Sequence, residues 1–309
     1  MTNGATDMSG KRILLLYNET SGKLSDPVDL HQVLEQLALR GCWVTVYPIH
    51  PSLGLASEVA LAGDLDGFDV IACCGGDGTL NHVVSYMMAH GIRKPIGYIP
   101  AGSTNDFSRS LNGGDLLSVE DQCAAIAGDR AFSYDVGAIN DRYFNYIAAF
   151  GAFTKVSYET PQNLKNRFGH SAYIMRVVAT IPTDIQYRVH ARVRYDDRQV
   201  EGDYIFGGVV NSLSVGGVQS PVISLAELND GQFEMVLIEA PKTLLDLNAV
   251  LAQLGRGESG NGQVLVASAR HVEFEFDDVV PWTLDGEEGT SGRTATIDCL
   301  QRAMSVLVR

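Results

Sequence analysis

Cys74-Gly75-Gly76-Asp77-Gly78-Thr79-Leu80-Asn81 is the stretch on which the fold turns. Before it, Val70-Ile71-Ala72-Cys73-Cys74 is a short apolar run of the kind that forms a buried strand. After it, Leu80, Val83, Val84, Met87 and Met88 recur at helical spacing. A glycine-rich turn between strand and helix aims backbone N–H groups at the helix N-terminus, where they suit phosphate oxygens. Glycine lets such a ligand approach the main chain closely. Asp77 is out of character in an anion cradle unless a metal ion or a proton transfer gives its carboxylate a purpose. A capping role beside the helix dipole is the plainer alternative. Together these residues point to a nucleotide site that uses Mg²⁺.

The pattern then repeats. Ile96-Gly97-Tyr98-Ile99 reads as a strand and runs into Pro100-Ala101-Gly102-Ser103-Thr104-Asn105-Asp106-Phe107. If the two strands are parallel neighbours, their glycine turns lie side by side at the sheet edge where open α/β sheets bind ligands. Working outward, Lys11 to Tyr17 is a first strand, and Asn18-Glu19-Thr20-Ser21-Gly22-Lys23 a polar turn. Asp26 and Pro27 give a helix start, with an apolar stripe at Leu30, Val33, Leu34, Leu37 and Ala38 and a stop at Gly41. Val44 to Ile49 is a second strand, and Ser57 to Ala62 a short helix. Strand and helix alternate four times, which predicts a doubly wound, mostly parallel sheet.

Near Phe132 the character changes. Tyr134 to Ala138 and Tyr143 to Ala148 read as a hairpin about Asn140-Asp141. Ile185, Tyr187, Val189, Ala191, Val193 and Tyr195 alternate, as in an antiparallel strand with one solvated face. Further strands are expected at 204–210, 233–239, 264–267, 272–276, 294–298 and 304–308, with a helix at 244–254. The prediction is an α/β domain over 1–133 and a β-rich sandwich or flattened barrel over 134–295. The final strands, 296–309, are candidates to return to the first domain.

The chain has 309 residues, 45% of them apolar, and a formal net charge of −14. That length and composition allow two modest domains. The charge argues against broad nucleic-acid binding, which needs a positive footprint. No apolar run approaches the roughly 20 residues of a membrane span, and Met1–Gly10 lacks a signal peptide's apolar segment, so a cytoplasmic protein is expected. Five scattered cysteines show no metal or redox spacing, and Cys73 and Cys74 read as small core fillers. Lys155, Lys165, Arg167, His170 and Arg176, with Phe168, Tyr173 and Ile174 among them, form either a solvated loop or a patch for anionic lipid headgroups.

With these motifs in order, the chain resembles the diacylglycerol kinase catalytic-domain family of lipid kinases, in its soluble bacterial branch. Sphingosine and ceramide kinases, and more distantly NAD kinases, are related. The resemblance rests on Asn18 to Lys23, Gly75 to Asn81, Pro100 to Arg109, Asp135-Val136-Gly137, Asn229-Asp230-Gly231 and Trp282-Thr283-Leu284-Asp285-Gly286-Glu287. It implies an NAD-kinase-like α/β domain and a β-rich domain with the nucleotide in the cleft between them. It further implies transfer of the ATP γ-phosphoryl group to a lipid hydroxyl, with diacylglycerol the expected acceptor. Gly75, Gly76, Gly78 and Thr79 would hold phosphates, Asn18, Ser21, Ser103 and Asn105 would line the site, and Asp77 and Asp106 would organise Mg²⁺. Asp285 would be the general base, with Glu287 beside it. A structural Mg²⁺ would sit on the Asp230 carboxylate and the carbonyls of Glu227 and Gln232, with Asp135 in the water network behind it. Taken alone, Asp285-Gly286 is more often a plain hairpin turn; with the other motifs present, Asp285→Asn is expected to remove most turnover with little effect on folding or ATP binding.

Five positions depart from the family pattern: Glu19 for proline, Ser103 for threonine, His82 for glutamate, and Glu227 with Gln232 for more apolar residues. The resemblance also implies a peripheral visit to the inner membrane surface. An exposed strand in the β-rich half is a candidate for pairing two subunits. Rival functions on the same scaffold are a kinase of a soluble polyol or dinucleotide and a catalytically silent nucleotide-binding regulator.

Overall fold

The structure is a computed structural model that describes residues 10–18, 28–50, 55–151, 188–212, 214–215, 218–219, 227–243, 245–246, 249–250, 253 and 263–309. Ser21, Glu19, the Asp26-Pro27 helix start and the basic stretch from Lys155 to Arg176 lie outside these residues. The chain divides into two compact units. The first falls within Met1–Ser108, Asp115–Tyr134 and Ala303–Arg309, the second within Arg109–Gly114 and Asp135–Arg302.

In the first unit, β1 (Arg12–Asn18) is followed by α1 (Leu30–Leu39), β2 (Trp43–Ile49), α2 (Ser57–Leu61), β3 (Val70–Gly75), α3 (Asp77–Ala89) and β4 (Ile96–Pro100). α4 (Asp106–Leu111) and α5 (Val119–Ala127) come next. The strands are parallel in the order β2-β1-β3-β4, with Leu15 opposite Val46 and Ala72, and Cys74 opposite Ile99. Ile13, Leu15, Val70, Ala72, Cys74 and Ile99 form one cluster with Val33 and Leu37 of α1 and Cys123 and Ile126 of α5. Leu14, Leu16, Ile71 and Cys73 alternate with these and are equally buried, as expected of parallel strands covered on both faces. α1 starts at Leu30, where the Asp29 carboxylate accepts the His31 N–H at 2.9 Å, a capping bond found in the structure three residues after the predicted start.

β5 (Ala131–Ile139) carries the chain into the second unit. β6 (Arg142–Phe144), β7 (Ile147–Gly151), β8 (Val189–Tyr195), β9 (Arg198–Val210), β10 (Ser214–Val215) and β11 (Val218–Gln219) follow. Then come β12 (Phe233–Glu239), β13 (Val264–Ala269), β14 (His271–Leu284) and β15 (Glu287–Leu307). Among the described residues, β10 and β11 pair only with each other. Pairing in the main antiparallel sheet closes on itself, because β7 and β8 each bridge β9 and β14. Of the two arrangements left open by the sequence, the pairing is therefore of the barrel kind rather than two separately bonded sheets. Its interior holds Phe150, Phe274, Phe276 and Trp282, with Phe150 and Trp282 ring centroids 5.0 Å apart and steeply inclined.

Three differences from the sequence reading have physical causes. β14 runs on from Phe276 through Asp277, Asp278 and Pro281, because register shifts after Glu275 and Pro281 absorb residues that break the alternation. The strands expected at 294–298 and 304–308 are one element, β15, in which Arg302 takes a left-handed φ of 50°. The second arm of the Asn140-Asp141 hairpin ends at Phe144, and β7 begins at Ile147. The helix expected at 244–254 is helical at its described residues. It opens with a capping box in which Thr243 Oγ1 accepts the Asp246 N–H and the Asp246 carboxylate accepts the Thr243 N–H.

Candidate active site

The two glycine turns meet backbone to backbone. A Cβ on Gly102 would lie 2.6 Å from Gly76 Cα, and a Cβ on Gly75 would lie 2.7 Å from the Thr79 side chain. Neither position has room for a side chain, which is why this junction is built from glycine. The Ala101 N–H also bonds the Gly75 carbonyl at 2.8 Å. Both turns follow the carboxyl ends of adjacent parallel strands, and β1, which lies between β2 and β3, ends beside them. Asn18 at that end donates from Nδ2 to Thr79 Oγ1 at 2.8 Å. Gly78 and Thr79 occupy the first turn of the 13-residue α3, where N–H groups have no acceptor within the helix.

Asp77 stands in the first turn of α3, and its carboxylate reaches the second glycine turn. Its Oδ2 accepts the Asp106 N–H at 3.0 Å and the Thr104 hydroxyl at 3.2 Å, and its Oδ1 accepts the Phe107 N–H at 3.3 Å. The carboxylate thus binds the second glycine turn to the first and satisfies the start of α4. Asn105, at φ 54°, closes that turn by accepting the Gly102 N–H and donating to the Gly102 carbonyl. Asp106 is 1% exposed, whereas Ser103 is exposed. Among the described residues, the buried Tyr98 hydroxyl has no hydrogen-bond partner. Burial, followed by the charge of Asp77, drives that phenol well above its ordinary pKa. Tyr98 is a polar group near both aspartates that strand patterning alone does not reveal. His82 is exposed, with Nδ1 3.5 Å from the Glu58 carboxylate.

In the second unit, Asp285 and Gly286 have φ of 49° and 84° and join Leu284 to Glu287 as a two-residue hairpin turn. The turn is more than a connector. Asp285 is 3% exposed, and its carboxylate accepts four hydrogen bonds across the gap between β6 and β7. Oδ2 takes the Asn145 N–H at 2.6 Å and Asn145 Nδ2 at 3.1 Å. Oδ1 takes the Tyr146 N–H at 2.9 Å and the Ile147 N–H at 3.0 Å. The strand break that the sequence reading missed therefore exposes consecutive N–H groups to one carboxylate. Glu287 is exposed on the returning strand.

Asp135, fully buried, serves a third junction. Its Oδ2 accepts the Gly231 N–H at 2.6 Å, its Oδ1 accepts the Arg302 N–H at 2.7 Å, and its own N–H donates to the Leu228 carbonyl at 2.8 Å. It ties the 228–231 loop to β5 and to the left-handed point of β15. Asp230, Glu227 and Gln232 lie at the surface of that loop, and Asp230 Oδ1 accepts the Gln232 N–H at 2.9 Å. Among the described residues no group of three His, Cys, Asp or Glu side chains is placed to hold a metal. Burial, with Asp230's charge second, pushes the nearby Glu234 carboxyl up to about 7. Carboxylate and carbonyl oxygens within reach of solvent are the hard donors Mg²⁺ takes.

No helix among the described residues is long and apolar enough to cross a membrane. Residues 12–139 match the model of the diacylglycerol kinase catalytic domain. A diacylglycerol kinase of Staphylococcus aureus (strain MRSA252) is 31% identical over 283 residues, covering 90% of this chain and 87% of the relative. A diacylglycerol kinase of Bacillus subtilis (strain 168) is 31% identical over 282 residues, covering 90% of each. The fold is similar to the crystal structure of a diacylglycerol kinase from Bacillus anthracis, with a TM-score of 0.71 at 19% identity over 97% of this chain and 98% of that one. Identity at this level across nearly the whole of two relatives is decisive, and the chain belongs to the diacylglycerol kinase catalytic-domain family.

Proposed function

We propose that this enzyme is an ATP- and Mg²⁺-dependent lipid kinase that phosphorylates the hydroxyl of diacylglycerol or a similar lipid alcohol. The observation that carries the reading is the backbone-to-backbone contact of two glycine turns at the carboxyl edge of a parallel sheet, at the N-terminus of α3. Such an edge, in an NAD-kinase-like doubly wound unit, suits a nucleoside triphosphate. Gly75, Gly76, Gly78 and Thr79 hold its phosphates, and Asn18, Ser21, Ser103 and Asn105 shape the surroundings. Asp77 and Asp106 organise the phosphates and their Mg²⁺. That ion, when bound, neutralises charge on the transferred group.

Asp285 is the base. The acceptor's O–H bond breaks as its oxygen joins the γ-phosphorus, the bridging oxygen leaves with ADP, and the proton goes to Asp285. Glu287 stands beside it on the same hairpin. Asp230, with the Glu227 and Gln232 carbonyls, suits a second, structural Mg²⁺, and Asp135 fixes the loop that carries them. A lipid acceptor requires contact with a membrane surface, so the enzyme is expected to work from the cytoplasmic side.

The test is incubation of the enzyme with radiolabelled ATP, Mg²⁺ and a total lipid extract, with products identified by mass spectrometry. Label in phosphatidate or an analogous phospholipid supports the proposal. Label only in a water-soluble acceptor, or none in any lipid, overturns it.

A further inference from the structure

The Asp285 carboxylate has about four lone-pair sites, and four donors occupy them. A base so engaged cannot take a proton until a donor withdraws. Three of the four are main-chain N–H groups. They are fixed where β7 pairs with β14, at Ala148 opposite Leu284 and Ala149 opposite Thr283, and where the Asp285 N–H bonds the Ile147 carbonyl at 2.9 Å. Withdrawing any of them would break the ladder. The fourth, Asn145 Nδ2, is at 3.1 Å the longest of the set, and it sits on a side chain with rotatable bonds. Asn145 is 1% exposed, so its amide is held in the interior rather than dissolved in water. Among the described residues, the other titratable groups within three positions of Asn145–Ile147 or of Asp285 are Arg142, Tyr143 and Tyr146 about the break and Glu287 and Glu288 on the returning strand.

We propose that the Asn145 side-chain amide is a placeholder on the base, a positioning residue whose Nδ2 occupies Asp285 Oδ2 until the acceptor hydroxyl takes its place. This rests on the reading of Asp285 as the base. The placeholder has two effects. It keeps Oδ2 aimed along the line the incoming O–H will use. Its departure also gives that lone pair to the donor whose proton is to be transferred, while in the free enzyme the amide bond steadies the charged form of the carboxylate.

The experiment measures the pH dependence of kcat/KM with dioctanoylglycerol for the wild type, Asn145→Ala and Asn145→Asp. Loss of the amide donor moves the acidic limb of Asn145→Ala up by about one pH unit, a tenfold change in proton affinity. Asn145→Asp keeps the shape but places a second carboxylate on Oδ2, and its limb moves further in the same direction. The height of the alkaline plateau is not the readout. A folded variant that is slower by the same factor at every pH, with its limb unmoved, overturns the proposal.

The wild type supplies a second measurement that no folding defect can spoil. The ¹⁵N resonance of the Asn145 side-chain amide shifts when dioctanoylglycerol is added to enzyme holding Mg²⁺ and a non-hydrolysable ATP analogue. An unmoved resonance with the acceptor bound also overturns it. Asp285→Asn separates the two ideas: normal turnover in that variant means Asp285 is not the base. An inactive Asp285→Asn with an unmoved limb in Asn145→Ala rejects the placeholder alone.

Discussion

Replacing Asp285 with asparagine exchanges one carboxylate oxygen for an NH₂ group, and the geometry sets the cost. The oxygen of the new amide would keep the Tyr146 and Ile147 N–H groups, now 2.9 and 3.0 Å from Oδ1. Its NH₂ would then face the Asn145 N–H, which sits 2.6 Å from the present Oδ2. Donor meets donor in a buried place. A hydrogen bond to a charged group contributes about 1.5–3 kcal/mol, and a buried donor left unsatisfied costs about 1–3 kcal/mol. The expected loss is therefore about 3 kcal/mol in the second unit, a large share of the roughly 5–15 kcal/mol typical of a domain. This revises the expectation that Asp285→Asn is neutral for folding.

Trp282, 2% exposed in the aromatic cluster of the same unit, reports the transition, and a Trp43→Phe background removes the only other tryptophan. With urea m-values of about 1–3 kcal/mol per molar, the midpoint should fall by about 1–3 M. A change below about 1 kcal/mol would refute the reasoning, because it would mean the carboxylate is not holding those four donors in solution. The variant still folds in the cold on these figures, so turnover is to be measured at low temperature.

Gly102→Ala should weaken ATP binding by calorimetry and lower thermal stability by about 1–3 kcal/mol, since its Cβ meets Gly76 Cα at 2.6 Å. Gly67→Ala, with open space around it, should change neither, and equal effects would discard the argument. Asp135→Asn should speed amide hydrogen exchange at Gly231 and Arg302 by about tenfold or more, because both N–H groups end on the carboxylate. Unchanged exchange would deny the junction. His271 lies 2.6 Å from Asp298 and 3.4 Å from Glu273, and the hydrogen bond to Asp298 raises its pKa. A raised pKa stabilises the fold below the ordinary histidine value of about 6.5, and the effect is lost as pH climbs through the folded value. His271→Gln should therefore be less stable than wild type at about pH 6, by about 0.5 kcal/mol given solvent screening, and equal to it at about pH 9. A deficit that grows with pH would reverse the sign and reject the pairing.

What could be read from the sequence and what could not divide along a physical line. The Gly75–Asn81 and Pro100–Asp106 turns were legible because each is local. A strand, a turn and a helix follow one another within a short stretch of chain, and the side-by-side placement follows from parallel pairing. The second unit resisted because its organising contacts are remote. Asp285 meets Asn145 across 140 positions and Asp135 meets Arg302 across 167, and no periodicity encodes either pair. For the same reason Tyr143 to Ala148 passed for one strand. Its residues have uniform strand propensity, and the break at Asn145-Tyr146 exists only because a carboxylate from the far end of the chain collects the N–H groups there.

Three of the four buried aspartates among the described residues share this logic. Asp77, Asp135 and Asp285 each accept main-chain N–H groups where an element is interrupted, at the start of α4, at the left-handed point of β15 and at the gap before β7. An interrupted element leaves backbone donors without ladder or helix partners, and an ionised carboxylate can satisfy several at once. The same event that breaks the regular structure thus places a negative charge at a fixed point with a fixed orientation. The proposed chemistry calls for carboxylates in such positions, and in this fold they also repair its own discontinuities. It follows that substitutions at these positions should damage stability and turnover together. Only changes to the neighbours that share the carboxylate, Asn145 above all, can separate the two.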